Sequence, residues 1–394
     1  MIKKVKIIHK NILFYLFIEI FIGIYFGFYS FLLGPFILSK GFNESFLGVV
    51  TVTQTISFAL FAYIVGILSK YIKDKYIFAS TGILCFISSI IYIFSNGKLS
   101  ILFAASIYAM GISAIVVIKP PFLIKNSKGL DTVKLFSFIF IYATFMNLIG
   151  NFLSGKIIKL YNFNTALYIM SILSLLGSIP ALFITSNKNT EKNVSKNNKL
   201  KINRKMKLIL LYTFCGAFAV GMIIPYYTTY LINKMNYSTD TAAFVNNFNM
   251  LGNLLAMILS PIIAKRIGEF KTITFAKLLS FPFVLLFVLF NTKLNFITLI
   301  LCIFFLIRSV LINITVPLEN IIFMNSVNQE HQAKFNSIVV LIGNITVSIS
   351  SYLAGNIISY TKLSYSLTFI ISAVVFVIQA LVFIEFNKIK EHQI

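Results

Sequence analysis

The chain has 394 residues, of which 58% are hydrophobic and only 11% charged, with a mean hydropathy of +0.90 and a formal net charge of +23. Soluble domains carry roughly 25% charged residues, so a soluble enzyme of this length would lack the polar surface it needs. A receptor with one anchor and a large ectodomain is excluded on the same ground.

A bilayer-spanning helix needs about 20 mostly apolar residues, and the pattern predicts twelve of them. The apolar runs fall at 11–34, 46–69, 76–95, 99–118, 135–158 and 163–185, then at 208–232, 241–264, 272–291, 296–318, 335–358 and 365–386. The basic N-terminus (Lys3, Lys4, Lys6) precedes a run too long for a signal-peptide core, which reads as an uncleaved first span. Between the sixth and seventh runs lies the one sustained polar stretch, Ser186 to Lys207, rich in Asn and Lys. It is too polar to bury a core and reads as a connector. The expected organisation is a six-helix half over 1–185, a connector over 186–207 and a second six-helix half over 208–394.

In a soluble protein a strongly basic balance would suggest nucleic acid; here it reports topology. With a cytoplasmic N-terminus, 25 of the 34 Lys and Arg residues fall on the inner side, against seven in outer loops. That bias places both termini and the connector in the cytoplasm. The cysteines Cys85, Cys215 and Cys302 sit inside apolar runs and read as small buried residues, not as a disulfide framework or metal site. His9, His331 and His392 lie far apart in polar flanks, so no metal constellation is expected. No phosphate-binding G-x-x-x-x-G-K-[S/T] occurs. The composition, rich in Asn, Lys, Ile and Phe, suits an A+T-rich bacterial genome.

The halves repeat. Lys134-Leu-Phe-Ser137 and Asn151-Phe-Leu-Ser-Gly-Lys-Ile-Ile158 match Lys334-Phe-Asn-Ser337 and Ser351-Tyr-Leu-Ala-Gly-Asn-Ile-Ile358 at a constant offset, in spans five and eleven. Matching of odd to odd spans implies a parallel repeat about an axis along the membrane normal.

The loop after span two reads Gly66-Ile-Leu-Ser-Lys-Tyr-Ile-Lys-Asp-Lys75, and the loop after span eight Pro261-Ile-Ile-Ala-Lys-Arg-Ile-Gly-Glu-Phe-Lys271. With the span count and the repeat, these resemble the G-x-L-A-D-R-x-G-R-K signature of the major facilitator superfamily. Gly66, Leu68 and Lys75 match in the first copy, and Ala264, Arg266 and Gly268 in the second. Lys70 and Lys265 stand where that family prefers Asp; Asp74 and Glu269 are nearby acids out of register. The outer turn Lys40-Gly-Phe-Asn-Glu-Ser-Phe-Leu-Gly48, Pro120-Pro-Phe-Leu, and Arg308, Asn313 and Pro317 are similar to the family too. The resemblance implies an all-α membrane fold of two pseudo-symmetric halves, spans one, four, seven and ten around a cavity, gating loops at Gly66, Lys70, Asp74, Lys265, Arg266 and Gly268, and no cofactor.

Charges deep in a span are expensive and mark function. Glu19 lies about eight residues into span one, roughly 12 Å at 1.5 Å per residue, and Arg308 lies at a similar height in span ten. The expectation is that Glu19 is a proton or substrate site and that Arg308 is its electrostatic partner or an anion binder; a plain structural salt bridge is the simpler reading. Lys277 is close enough to a span end to snorkel, and Glu319 and Glu385 read as interfacial. Polar residues within spans must face protein or water. Gln54, Asn147, Tyr227, Asn249 and Asn313 are therefore the remaining cavity candidates.

The function expected is secondary active transport of a small molecule across a lipid bilayer, by a monomer in a bacterial cell membrane. Coupling to protons is the simplest energy source, and export of a small amphipathic compound is favoured over import of a sugar, peptide or other metabolite. A lipid-linked transferase would need catalytic His or paired carboxylates on its loops. A flippase for lipid-linked sugars and a transport-dead sensor are two more classes that twelve spans allow.

Overall fold

A computed structural model describes residues 2–69, 71–126, 132–185, 202–289, 295–327, 329–361 and 364–391. Lys70 and most of the connector therefore lie outside the described residues. Among those described, all regular structure is helical. Helices α1 to α6 are Ile2–Ser39, Glu44–Leu68, Asp74–Phe94, Lys98–Asn126, Thr132–Leu160 and Phe163–Leu182. Helices α7 to α9 are Arg204–Ile223, Thr239–Ile267 and Glu269–Leu289. Helix α10, Asn295–Asn313, resumes after a short break as Val316–Asn325; α11 is Gln329–Tyr360 and α12 Ser364–Glu391.

Each predicted apolar run thus coincides with one helix. Eleven of them are long and apolar enough to cross a membrane over their described residues. The other, α9, carries Glu269, Lys271 and Lys277 in its first half.

Two boundaries differ from expectation for physical reasons. The apolar pattern ends span four before Lys119-Pro120-Pro121, and proline removes a backbone donor and crowds the preceding turn. Helix α4 instead continues through both prolines to Asn126. At α7 the opposite holds: after Ile223 the chain tightens to a 3-10 turn at Ile224–Tyr226 containing Pro225. It then passes through Tyr227–Thr229 into a π turn at Tyr230–Lys234.

The chain divides into two compact units, residues 1–36 with 53–194 and residues 37–52 with 195–394. In the first, α3 packs against α4 and α6. Its core joins Tyr15, Ile18 and Ile22 of α1 to Phe78 of α3, Phe122 and Leu123 of α4 and Ile139 of α5. In the second, α7 packs against α11 and α12, α9 against α12, and α8 against α10. The turn between α1 and α2, with the first half of α2, belongs to this second unit. There Glu44 accepts hydrogen bonds from Tyr365 Oη at 2.9 Å and Asn233 Nδ2 at 3.3 Å, and Ser45 Oγ donates to Asn356 Oδ1 at 2.6 Å.

The repeat seen in the sequence carries into burial. Asn151, Ser154 and Ile158 of α5 are buried, as are Ser351, Ala354 and Ile358 of α11. All three cysteines are buried and free.

Small residues set the helix spacing, as they do where packing rather than hydrophobic collapse holds helices together. A Cβ at Gly27 would meet the α5 backbone at Asn147, Gly150 and Asn151; one at Gly150 would meet Ile24 of α1. Gly66, by contrast, has open space around it. Gly27→Val is therefore expected to cost about 1–3 kcal/mol by overpacking. Gly66→Ala should be neutral or stabilising by up to about 1 kcal/mol, through helix propensity. Thermal unfolding of the purified variants in one detergent checks the contrast.

Candidate functional site

Helix α1 places Tyr15 and Glu19 one turn apart on the same face, since residues four apart are neighbours on a helix. Glu19 is buried, and the Tyr15 hydroxyl donates to its Oε1. The same oxygen lies 2.7 Å from Lys119 Nζ of α4, which also sits 5.8 Å from the Tyr15 ring centroid. A buried carboxylate at this depth would be prohibitive alone; here a cation and a phenol compensate it.

This pair forms one wall of a cavity of about 210 Å³. Its lining combines Gly23 and Phe26 of α1, Ile115 and Val116 of α4, and Ala143, Thr144 and Asn147 of α5. Asn147 Oδ1 is buried without a hydrogen-bond partner. The arrangement offers an ammonium, a carboxylate, a free amide oxygen and an apolar wall within one small chamber. Such a mixture of apolar lining and few converging polar groups is typical of small-molecule sites.

The second unit holds two further groups. On α9, Lys277 is buried and lies 3.2 Å from Glu319 of Val316–Asn325; Tyr212 of α7 donates to that carboxylate, and Lys277 sits 5.8 Å from the Tyr212 ring. Lys277 is thus held by an ion pair, and Glu319 is half-buried beside it. Glu319 supplies the counter-charge that the buried Lys277 needs.

The other group centres on Arg308 of α10, which is 2% exposed. Its Nη1 donates to Asn249 Oδ1 of α8 at 3.3 Å, and its Cζ lies 4.9 Å from the Tyr227 ring centroid. Next to it, Ser309 Oγ donates to Asn249 O at 2.7 Å and to Asn253 Oδ1 at 2.6 Å, and Asn313 Nδ2 reaches the same Asn253 oxygen at 2.6 Å.

The expected residues thus separate into three places. Glu19 and Asn147 share the cavity of the first unit. Arg308, Tyr227, Asn249 and Asn313 gather on α7, α8 and α10 of the second. Gln54 does neither: its amide donates to Tyr29, whose ring stacks on Tyr108 at 3.5 Å and whose hydroxyl lies 3.0 Å from that of Tyr92. Within the first unit, Glu19 forms an ion pair with Lys119.

Among the loop residues, Gly66 accepts from Ser69 Oγ near the end of α2, and Asp74 opens α3 buried and 3.8 Å from Lys125 of α4. Lys265 and Arg266 close α8, and Gly268 ends it at φ +89°, where a side chain would be strained.

Sequence reasoning missed Lys119, Tyr15, Lys277, Glu319 and Tyr212 as site members. Only the spacing of Tyr15 and Glu19 was legible; the lysine–carboxylate pairs are separated by 100 residues and by 42 in the chain.

Lys119→Met is expected to destabilise by about 1–3 kcal/mol, because Glu19 is left buried with one neutral donor. Lys277→Met should cost a similar amount, since Glu319 is likewise left with the Tyr212 hydroxyl. Adding Glu19→Gln to the first and Glu319→Gln to the second should recover part of each loss, measured as double-mutant cycles of thermal unfolding.

No curated protein matches the chain significantly. Among solved structures, it is similar to the nucleoside transporter NupG, with 14% identity over 95% of this chain and 98% of that one and a TM-score of 0.78. It is likewise similar to the D-xylose-proton symporter, with 13% identity over 95% and 97% and a TM-score of 0.75. A bacterial homologue of the iron transporter ferroportin in its inward-facing state gives 11% identity over 97% and 98% and a TM-score of 0.74. The Major Facilitator Superfamily sequence model matches residues 15–351. The chain belongs to the Major Facilitator Superfamily and is a membrane transporter of the secondary type, not an enzyme.

Proposed function

We propose that the chain is a proton-coupled exporter of a small amphipathic compound, with Glu19 as the coupling carboxylate. The observation that carries this reading is the placement of the Glu19–Lys119 pair in the wall of the cavity. Three partners compete for one carboxylate: the Lys119 ammonium, the Tyr15 hydroxyl and a proton. Binding of a proton neutralises Glu19 and releases Lys119 toward the chamber; loss of the proton restores the ion pair. The two states differ by one buried charge, which is the kind of local electrostatic change that biases a two-state element. Alternating access of two helical halves around a midplane site supplies that element.

Lys119 Nζ, Thr144 and the free Asn147 Oδ1 are the groups that a polar end of the compound would meet, and Phe26, Ile115 and Phe140 suit its apolar part. The apolar share of the lining supports export of an amphipathic compound. The comparison proteins, a nucleoside transporter and a D-xylose-proton symporter, support the second reading, uptake of a polar metabolite in the same fold. In either case the chain would act as a monomer in a bacterial cell membrane, with both termini and the connector cytoplasmic, as the distribution of positive charge argues.

In proteoliposomes, Glu19→Gln is expected to abolish flux driven by a pH gradient while leaving exchange between equal substrate pools intact. A pH-gradient response equal to that of the unmodified chain would overturn the coupling role.

A further inference from the structure

Among the described residues, three cations lie in buried or cavity-lining positions of the spans, and two of them face a carboxylate within 3.2 Å: Lys119 with Glu19, and Lys277 with Glu319. Arg308 is the exception. It is as enclosed as Lys277, yet no carboxylate among the described residues pairs with it. Its compensation is one long hydrogen bond to Asn249 and the face of Tyr227, and its Nε, fully enclosed, has no partner. An arginine cannot shed its proton to escape this situation, as a lysine can. Deep in a membrane protein such a charge is expensive, and its retention points to an anion that visits it.

A second observation points to the same place. Tyr227, the aromatic lid on the guanidinium, lies in the stretch where α7 leaves the α-helical path, between the 3-10 turn at Ile224–Tyr226 and the π turn at Tyr230–Lys234. Irregular backbone at membrane depth is tolerated where it is covered by protein or borders a cavity. Turns of the π type concentrate at functional sites.

We propose that Arg308, Asn249 and Tyr227 form a binding site for the carboxylate of an organic monoanion, separate from the cavity at Glu19 and Lys119. The guanidinium presents Nε and Nη in a planar fork that matches two carboxylate oxygens. Asn249 Oδ1 is engaged by Nη1, which leaves its Nδ2 as a further donor beside the fork. The charge count selects the ligand: one cation balances a carboxylate, whereas a phosphate dianion would leave a net negative charge buried. Tyr227 packs on Phe305 at 5.0 Å and Phe369 at 6.5 Å, an aromatic shelf for an apolar body attached to the carboxylate.

The full chain in detergent tests this by thermal stabilisation with benzoate, phenylacetate and octanoate, each against its neutral amide. A ligand that binds the folded state raises the midpoint, so the acids should stabilise and the amides should not. Arg308→Gln should weaken the acids at least tenfold. Asn249→Asp, which sets the chain's own carboxylate beside the guanidinium, should fold at least as stably and abolish the acid effect by occupying the site. Stabilisation without preference for the acids, or an acid effect that survives in either variant, overturns the proposal. The readout needs neither gradient nor turnover, so its failure leaves proton coupling at Glu19 standing, and failure of the flux assay leaves this site standing.

Discussion

A charge taken out of water must find its compensation inside the protein, and in this chain that requirement organises the polar interior. In the first unit the solution is a lysine, a carboxylate and a tyrosine: Lys119, Glu19 and Tyr15. In the second it is Lys277, Glu319 and Tyr212. The tyrosine sits on the first helix of each half, and in both the lysine lies 5.8 Å from its ring. The carboxylate, however, comes from α1 in one unit and from the segment after the α10 break in the other. The same electrostatic problem has been solved twice with charges drawn from different helices, so the chemistry of the halves has diverged while the helix repeat persists.

Exposure separates the two. Lys119 has a side chain 29% exposed and borders a chamber, so its ion pair can be exchanged for another partner. Lys277 is 5% exposed, and opening its pair would strand a charge. That difference fits the coupling role proposed for the first pair and a structural role for the second. Arg308 belongs to neither class, since what faces it is amide and aromatic, not anionic.

Backbone groups obey the same constraint. Where α10 breaks at Ile314 and Thr315, Ser260 of α8 donates to the Ile314 carbonyl at 2.7 Å. Asn313 turns back to the Ser309 carbonyl at 2.8 Å. Gly252 lets α8 approach close enough for this network, because a Cβ there would meet Leu306 and Ser309. Asn249 and Asn253 thus help hold α8 to α10, and Asn249 also accepts from Arg308.

Composition and the spacing of apolar runs determined the helix count and the class of the fold. These are additive properties, readable one residue at a time, because transfer into lipid depends on each side chain separately. Glu19 and Arg308 were legible for the same reason: an isolated charge in an apolar run is costly whatever surrounds it. Which charges meet was not legible. Lys119 stands beside two prolines that signal a helix end, yet the helix runs on and carries it to Glu19. Lys277 and Glu319 each look like residues near a span end and become a buried pair only when α9 and the segment after α10 are brought together. Tertiary structure decided these pairings because an ion pair depends on the position of two distant residues at once, and nothing in the local sequence around either one encodes the other.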